Sequence, residues 1–377
     1  MNPIEDLSRL VAFESVSSRP LDGLAAWIAQ RCEDLGFKVQ TYRDPRSEGK
    51  CSLLCTIGPE GTDGLVLTGH MDVVPTEGQP WSSDPFVVQE RDGKLYGRGT
   101  ADMKGFFAAT LHALSRIHPK DYQRELALVW THDEEVGCLG SAWLVDQIRN
   151  EQRTLPTACL VGEPTDFQIL RMHPGHVAVE MTVRGQAAHS SRPDLGRNAI
   201  EGAARLVEIA RGIAADLEQE TSPIPELERP WVTFNVGRIH GGTAVNIVPD
   251  QCALELGYRP LPGMDPEAVY ERLKEAVPAD LRADTEVRLV RVTPSLLTPD
   301  GTPLQGVLHD HARHAHCGAA TFATDGGNLA KLGMQPLVFG PGSINVAHQA
   351  DEYLERQALL DAIDIIEDVV RRQCCTP

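Results

Sequence analysis

The chain has 377 residues, 42% of them hydrophobic and 23% charged, which is ordinary for a globular protein and long enough for two domains. Its 35 basic and 53 acidic residues leave a formal charge of -18, which argues against nucleic acid and anionic membranes as partners. No apolar run reaches the roughly 18 residues of a membrane span, the acidic N-terminus has no secretion-signal core, and the nine cysteines follow no regular framework, so a cytoplasmic location with reduced thiols is expected.

Taken in order, residues 4–31 carry helical periodicity, with Leu7, Leu10, Val11, Leu24, Trp27 and Ile28 suited to one buried face. Phe37–Tyr42, Ser52–Ile57 and Leu65–Thr68 read as strands, the last running into Gly69-His70-Met71-Asp72. Val74–Arg98 is loop-rich. Asp102 to about Ile117 reads as a helix with Asp102 at its acidic start. Leu126–Trp130 is a buried strand that delivers Thr131-His132-Asp133-Glu134-Glu135, and a helix follows near Ser141–Ile148. Ala158–Val161 is a strand ending at Gly162-Glu163-Pro164-Thr165. Strands alternating with helices predict an α/β domain with a mostly parallel central sheet flanked by helices.

The pattern changes near Met172. His176–Arg184 alternates like a half-exposed antiparallel strand. A helix over 198–217, strands at Val232–Gly237 and Gln251–Tyr258, a helix at Pro266–Ala276 and a strand at Glu286–Val292 follow. This β-α-β-β-α-β order is that of a split βαβ, ferredoxin-like α+β domain. The expected organisation is an inserted domain, residues 173–291, within a first domain made of 1–172 and 292–377. That domain resumes with a helix at Pro303–His316, the loop Thr324-Asp325-Gly326-Gly327, a strand at Pro336–Phe339 opening into Gly340–His348, and a helix at Glu355–Arg371. Cys374-Cys375 is expected to be exposed.

His70, Glu134, Glu135, Glu163 and His348 each lie at or shortly after the end of an apolar run, with Asp102 at a helix start. In open α/β sheets ligands sit beyond the carboxyl ends of the strands, so these residues are predicted to meet on one sheet edge. Imidazole plus carboxylate suits zinc, with cobalt or manganese as substitutes. Two histidines, one aspartate and two glutamates can serve two ions, with one carboxylate shared, in the manner of paired sites about 3.5–4 Å apart. Asp72, two residues after His70, is placed to orient it. Adjacent residues leaving a strand point to different sides, which gives Glu134 and Glu135 different tasks. Two other patterns are decoys. Gly97-Arg98-Gly99 lacks the third glycine of a dinucleotide fingerprint, and the histidines of His309–His316 spread over several helix faces and read as solvated surface.

Gly69–Pro75, Gly97–Gly105, Asp133–Gly137 and Gly162–Thr165 together resemble the co-catalytic zinc aminoacylase and carboxypeptidase family, over nearly the whole chain. Asn235–Gly242, Arg259–Gly263, Gly340–Asn345 and Ala347–Leu354 are most similar to its deacetylase branch. The resemblance implies hydrolysis of the amide of N-acetyl-L-ornithine, with a desuccinylase, aminoacylase or metallo-dipeptidase/carboxypeptidase as the alternative. It implies two divalent metal ions, His70 and Glu163 on one, Glu135 and His348 on the other, and Asp102 bridging, with a cis peptide after it. Glu134 would be the general base. His189 would steady the tetrahedral oxyanion, coming from the partner subunit in dimeric relatives. Arg259 and Asn246 would bind the substrate carboxylate, with the backbone of Gly342. A homodimer formed through the inserted lid domain is also implied. Asp325 stands in a loop where relatives carry Thr-Glu, and its acid is expected to face a substrate side-chain ammonium.

Overall fold

The apolar runs of the first 170 residues become the middle of one sheet. In the computed structural model, which describes residues 2–314 and 316–375, the spatial order is Lys38–Arg43, Cys51–Ile57, Glu125–Thr131, Gly64–His70, Ala158–Val161 and Gln335–Val338. The last four strands run parallel and the first two pair antiparallel. Glu125–Thr131 and Gly64–His70 are buried at every position, as strands covered on both faces must be. Their covering includes the helix Gly105–Leu114, in which every residue but His112 is buried. Trp130 stacks on Phe107 with ring centroids 4.1 Å apart and meets Phe106 edge-on. The helices Pro3–Ala12 and Arg356–Val370 add Leu7, Leu10, Leu359 and Ile363 to the same core. Because the four central strands run the same way, His70, Thr131, Val161 and Val338 all end on one sheet edge.

By contacts, the chain divides into two units, one comprising Met1–Met172, Thr298–Gly318 and Thr324–Pro377, the other His173–Leu297 and Ala319–Ala323. The second unit holds an antiparallel sheet in the order Thr233–Gly241, Gln251–Arg259, His176–Arg184, Thr285–Thr293. With the helices Ala199–Leu217 and Ala268–Glu275 this is the ferredoxin-like arrangement. Val177, Val179, Met181 and Val183 are buried, as are Cys252, Leu254, Leu256 and Tyr258, so alternation set which face packs. Asn198 caps the longer helix by accepting from the Ile200 and Glu201 amides. Among the described residues no helix is long and apolar enough to cross a membrane.

Four local expectations are corrected. The N-terminal periodic stretch is two helices, Pro3–Ala12 and Asp22–Asp34. The helix after Asp102 begins at Gly105, and Thr100–Lys104 is an irregular wide turn with a cis Asp102–Met103 peptide. There the Ala101 and Asp102 amides go to the Glu352 carboxylate rather than to a helical ladder. The helix at Pro303 stops at His309, and the next residues turn to ion pairs, Asp310 with Arg372 and His311 with Asp368. Cys374 is buried, its Sγ facing the Glu125 carbonyl, and Cys375 is partly covered.

Gly162, just beyond the Ala158–Val161 strand, has no room for a side chain: a Cβ there would lie 2.2 Å from the Phe106 ring, and Phe106 is itself fully packed. Gly162→Ala is expected to destabilise the protein by about 1–3 kcal/mol in denaturant unfolding, with part of the loss recovered when Phe106→Leu is added. Unchanged stability in the single variant would show that the ring yields freely.

Candidate active site

Each oxygen of Asp102 meets a different histidine. His70 Nε2 lies 2.9 Å from Oδ1 and His348 Nε2 lies 3.2 Å from Oδ2. His348 Nε2 is also 3.0 Å from Glu135, and His70 Nε2 is 3.8 Å from Glu163. The strand ends supply His70 and, a few residues on, Glu134, Glu135 and Glu163. The wide turn supplies Asp102, and the loop after Gln335–Val338 supplies His348. His70, Asp102 and Glu135 offer ligand atoms all within 4.8 Å of one another. All five predicted metal ligands therefore come together in one unit.

Backbone clamps hold this cluster. His70 Nδ1–H donates to the Asp72 carbonyl at 2.9 Å, which turns Nε2 toward Asp102 as the nitrogen that would bind an ion. Asp72, expected to orient His70, reaches the ring through its backbone carbonyl, while its carboxylate stands 3.9 Å from Nδ1 and is held by other groups. It accepts from the Glu134 and Glu135 amides at 3.1 and 3.3 Å and from the Ser17 hydroxyl at 2.7 Å. Lys50, buried, donates to Asp133 and to the Ser17 carbonyl, both at 2.7 Å. Glu352 is the counterpart under Asp102, accepting from the Ala101 and Asp102 amides at 3.0 and 3.1 Å. Its other oxygen pairs with Arg98 at 2.7 Å, both side chains being 1% exposed. Sequence reasoning passed over Lys50, Arg98 and Glu352. The available signal was that Arg98 and Glu352 are charged residues inside the two segments that bring Asp102 and His348.

Asp325 is corrected. It was expected to face a substrate ammonium, but it is 2% exposed, its Oδ2 accepts from the Thr131 hydroxyl, and it lies beside Glu134 and Cys138. Gly342 has φ +86°, where a side chain would be strained, and the nearest atoms to a Cβ would belong to Leu354 and Ala101.

The electrostatics are those of too much negative charge. Asp72, Asp102, Glu134, Glu135, Glu163 and Asp325 crowd around two imidazoles. Burial, with Glu163 and Asp325 as neighbours, pushes the Glu134 carboxyl well above its ordinary range, and burial with Asp102 does the same to Glu163. Burial next to Asp102 raises Glu135 to about 7. Hydrogen bonds to Asp102 and Glu135 raise His348 to about 10. Asp102 itself is held low: burial opposes its charge, but both histidines outweigh it. Such an array calls for cations. Imidazole Nε2 atoms turned toward carboxylate oxygens are a donor set that fits zinc-like ions.

In the second unit, His189 and Asn246 lie together. His189 pairs with Ile247 in an isolated bridge, and the Asn246 carbonyl accepts from the Ser190 amide. Both side chains are exposed. The Ser191 amide donates to His189 Nδ1 at 3.2 Å, so Nε2 carries the proton and is free to donate. Arg259 lies elsewhere, closing the strand Gln251–Arg259 that Asn246 precedes, with roughly 26 Å of extended chain between the strand's ends. Arg259 borders a cavity of 290 Å³ together with Leu227, Arg229, Trp231 and Leu261. Burial, then the charge of Arg291, lowers its pKa, which is the position of a guanidinium short of anions.

Residues 66–372 match the model of peptidase family M20/M25/M40. The chain belongs to this family. It is a metallohydrolase. It is 36% identical over 362 residues, 93% of its own length and 90% of the relative's, to an acetylornithine deacetylase of Klebsiella pneumoniae (strain 342). Its fold is similar to that of an M20 family metallo-carboxypeptidase from Sulfolobus solfataricus, with TM-score 0.77, 18% identity and 98% and 99% of the two chains covered. A tripeptidase from Staphylococcus aureus gives TM-score 0.75, 21% identity and 98% and 97% coverage.

Glu352→Gln keeps the shape of the amide clamp but removes the charge that pairs with Arg98. It is expected to weaken metal affinity by about 10–100-fold, measured by competition with a chromogenic chelator, while the fold persists by circular dichroism. Parent-like affinity would reduce Glu352 to a packing role.

Proposed function

We propose that the protein hydrolyses the amide of an N-acylated amino acid, with N-acetyl-L-ornithine as substrate. The observation that carries the reaction type is Asp102 standing between two histidines with a partly buried glutamate, Glu134, on the same strand-end segment as Glu135. The substrate rests on the 36% identity to an acetylornithine deacetylase across 93% of the chain.

His70 and Glu163 would hold one divalent ion, Glu135 and His348 the other, and Asp102 would serve both. When bound, such ions lower the pKa of water and polarise a carbonyl oxygen. The rest is done by side chains. Glu134 takes the proton from the attacking water and returns it to the departing amine. Its amide is fixed by Asp72, and burial raises its carboxyl above the ordinary carboxylate range, which favours its holding the proton between the two transfers. His189 Nε2–H donates to the oxyanion that develops on the acyl carbon. Arg259 takes the substrate carboxylate through its planar fork, and Asn246 adds an amide donor. Because His189 and Asn246 lie at the opposite end of a strand from Arg259, one copy of the second unit cannot bring all three to one small molecule. We therefore propose a homodimer in which the partner subunit's copy of the His189 loop completes the site.

The test is hydrolysis by metal-loaded protein of a panel of N-acyl amino acids that vary separately in acyl group and side chain. N-acetyl-L-ornithine is expected to give the highest kcat/KM, and preference for a succinyl substrate or a dipeptide would overturn the assignment. Glu134→Gln is expected to retain its metals and lose at least about 10²-fold in kcat; near-parent turnover would remove Glu134 as the base. His189→Ala is expected to lose rate with metal content unchanged, and mixing it with an Arg259→Ala protein should restore part of the activity through hybrid dimers. No recovery on mixing would place both residues in one subunit's site.

A further inference from the structure

Beside the predicted ligand cluster lies a second donor set that shares no residue with it. Glu134, Cys138 and Asp325 each present one ligand-capable atom, all within 4.8 Å of one another. Cys138 Sγ is 3.3 Å from Glu134 Oε1. In a tetrahedral zinc site, Zn–S of about 2.3 Å and Zn–O of about 2.0 Å put sulfur and oxygen roughly 3.5 Å apart. The pair therefore already stands at the spacing of two ligands on one ion.

A thiol–carboxylate hydrogen bond would account for that contact alone. It does not account for Asp325. That side chain is 2% exposed, its Oδ2 is taken by Thr131, and its Oδ1 receives no hydrogen bond of good geometry, because the nearby Ser141 hydroxyl donates to the Cys138 carbonyl. A buried carboxylate oxygen left unpaired is costly and needs a reason. A cation satisfies all three groups at once. Sulfur with two carboxylates selects zinc or cadmium over magnesium and calcium.

We propose that Glu134, Cys138 and Asp325 form a third metal site, which takes Zn²⁺ and inhibits the enzyme when filled. On binding, the Cys138 thiol releases its proton to solvent and its sulfur bonds the ion; no electrons are transferred. The ion then occupies the Glu134 carboxylate and withholds it from the water. The site itself stands on geometry alone, whereas its inhibitory effect rests on the reading of Glu134 as general base.

Cysteine is absent from the five ligands of the main cluster, so a thiolate signal reports the third site separately. Chelator-stripped protein is titrated with Co²⁺ and followed in the near ultraviolet for the thiolate-to-cobalt charge-transfer band. The expected result is two equivalents bound without the band, a third that brings it, and no band in Cys138→Ala. In parallel, excess Zn²⁺ should inhibit hydrolysis, with the half-inhibiting concentration raised about tenfold or more in Cys138→Ala and its activity at two equivalents close to the parent's. Cys138→Ser, which keeps the volume of the side chain, provides the same two readings if the alanine variant does not fold. Absence of the band at excess Co²⁺, or its persistence without Cys138, overturns the site. A band with no zinc inhibition overturns the inhibitory role. If no N-acyl amino acid is hydrolysed, the reading of the substrate fails while the cobalt band still decides the site.

Discussion

Everything at the active site depends on burying carboxylates together. Six of them converge at one edge of the sheet, and two imidazoles cannot balance them. An isolated buried charge is among the most expensive features a fold can carry. The array therefore calls for cations or protons, and burial accordingly raises the Glu134, Glu135 and Glu163 carboxyls. Metal and proton compete for the same oxygens, so metal binding at such a site releases protons and weakens as pH falls.

Positioning is solved by the backbone. Asp72 and Glu352 do the same thing at two places, each carboxylate accepting from two consecutive amides. One fixes the Glu134–Glu135 pair and the other fixes Asp102. Each clamp has its own support, Ser17 and Lys50 on one side and Arg98 on the other. A carboxylate that bonds neighbouring amides sets the direction of the chain as well as its place, and so it sets where the next side chain points. Asp133 and His348, next to or among the predicted ligands, adopt positive φ values of 52° and 64°, a conformation that a non-glycine residue holds only when its surroundings enforce it.

Much of the fold was legible because the burial pattern is written in the residues. Continuous apolar runs marked the two strands buried on both faces, and strict alternation marked the second unit's sheet. The misreadings have one cause. The turn at Thr100–Lys104, the stop at His309 and the cover over Cys374 all depend on groups distant in the chain: Glu352, Arg372 with Asp368, and the Glu125 carbonyl. Periodicity carries no information about such partners. Asp325 was misread likewise, since an acid in a glycine-rich loop looks exposed until the Thr131 hydroxyl is found above it.

The sequence by itself determined the chemical inventory. Histidines and acids stand at or just after the ends of apolar runs, and strand direction alone brings such ends to one edge of a parallel sheet. It also determined the order of elements in both units, because hydrophobic period distinguishes helix from strand. Only the tertiary structure decided which oxygen faces which histidine, that the Asp72 carboxylate grips amides while its carbonyl holds the His70 ring, and that His189 and Arg259 lie near opposite ends of the Gln251–Arg259 strand. The physical reason is the range of the forces involved. Hydrophobic patterning acts along the chain and can be read from it, whereas hydrogen bonds and ion pairs act over about 3 Å and exist only once remote segments have met.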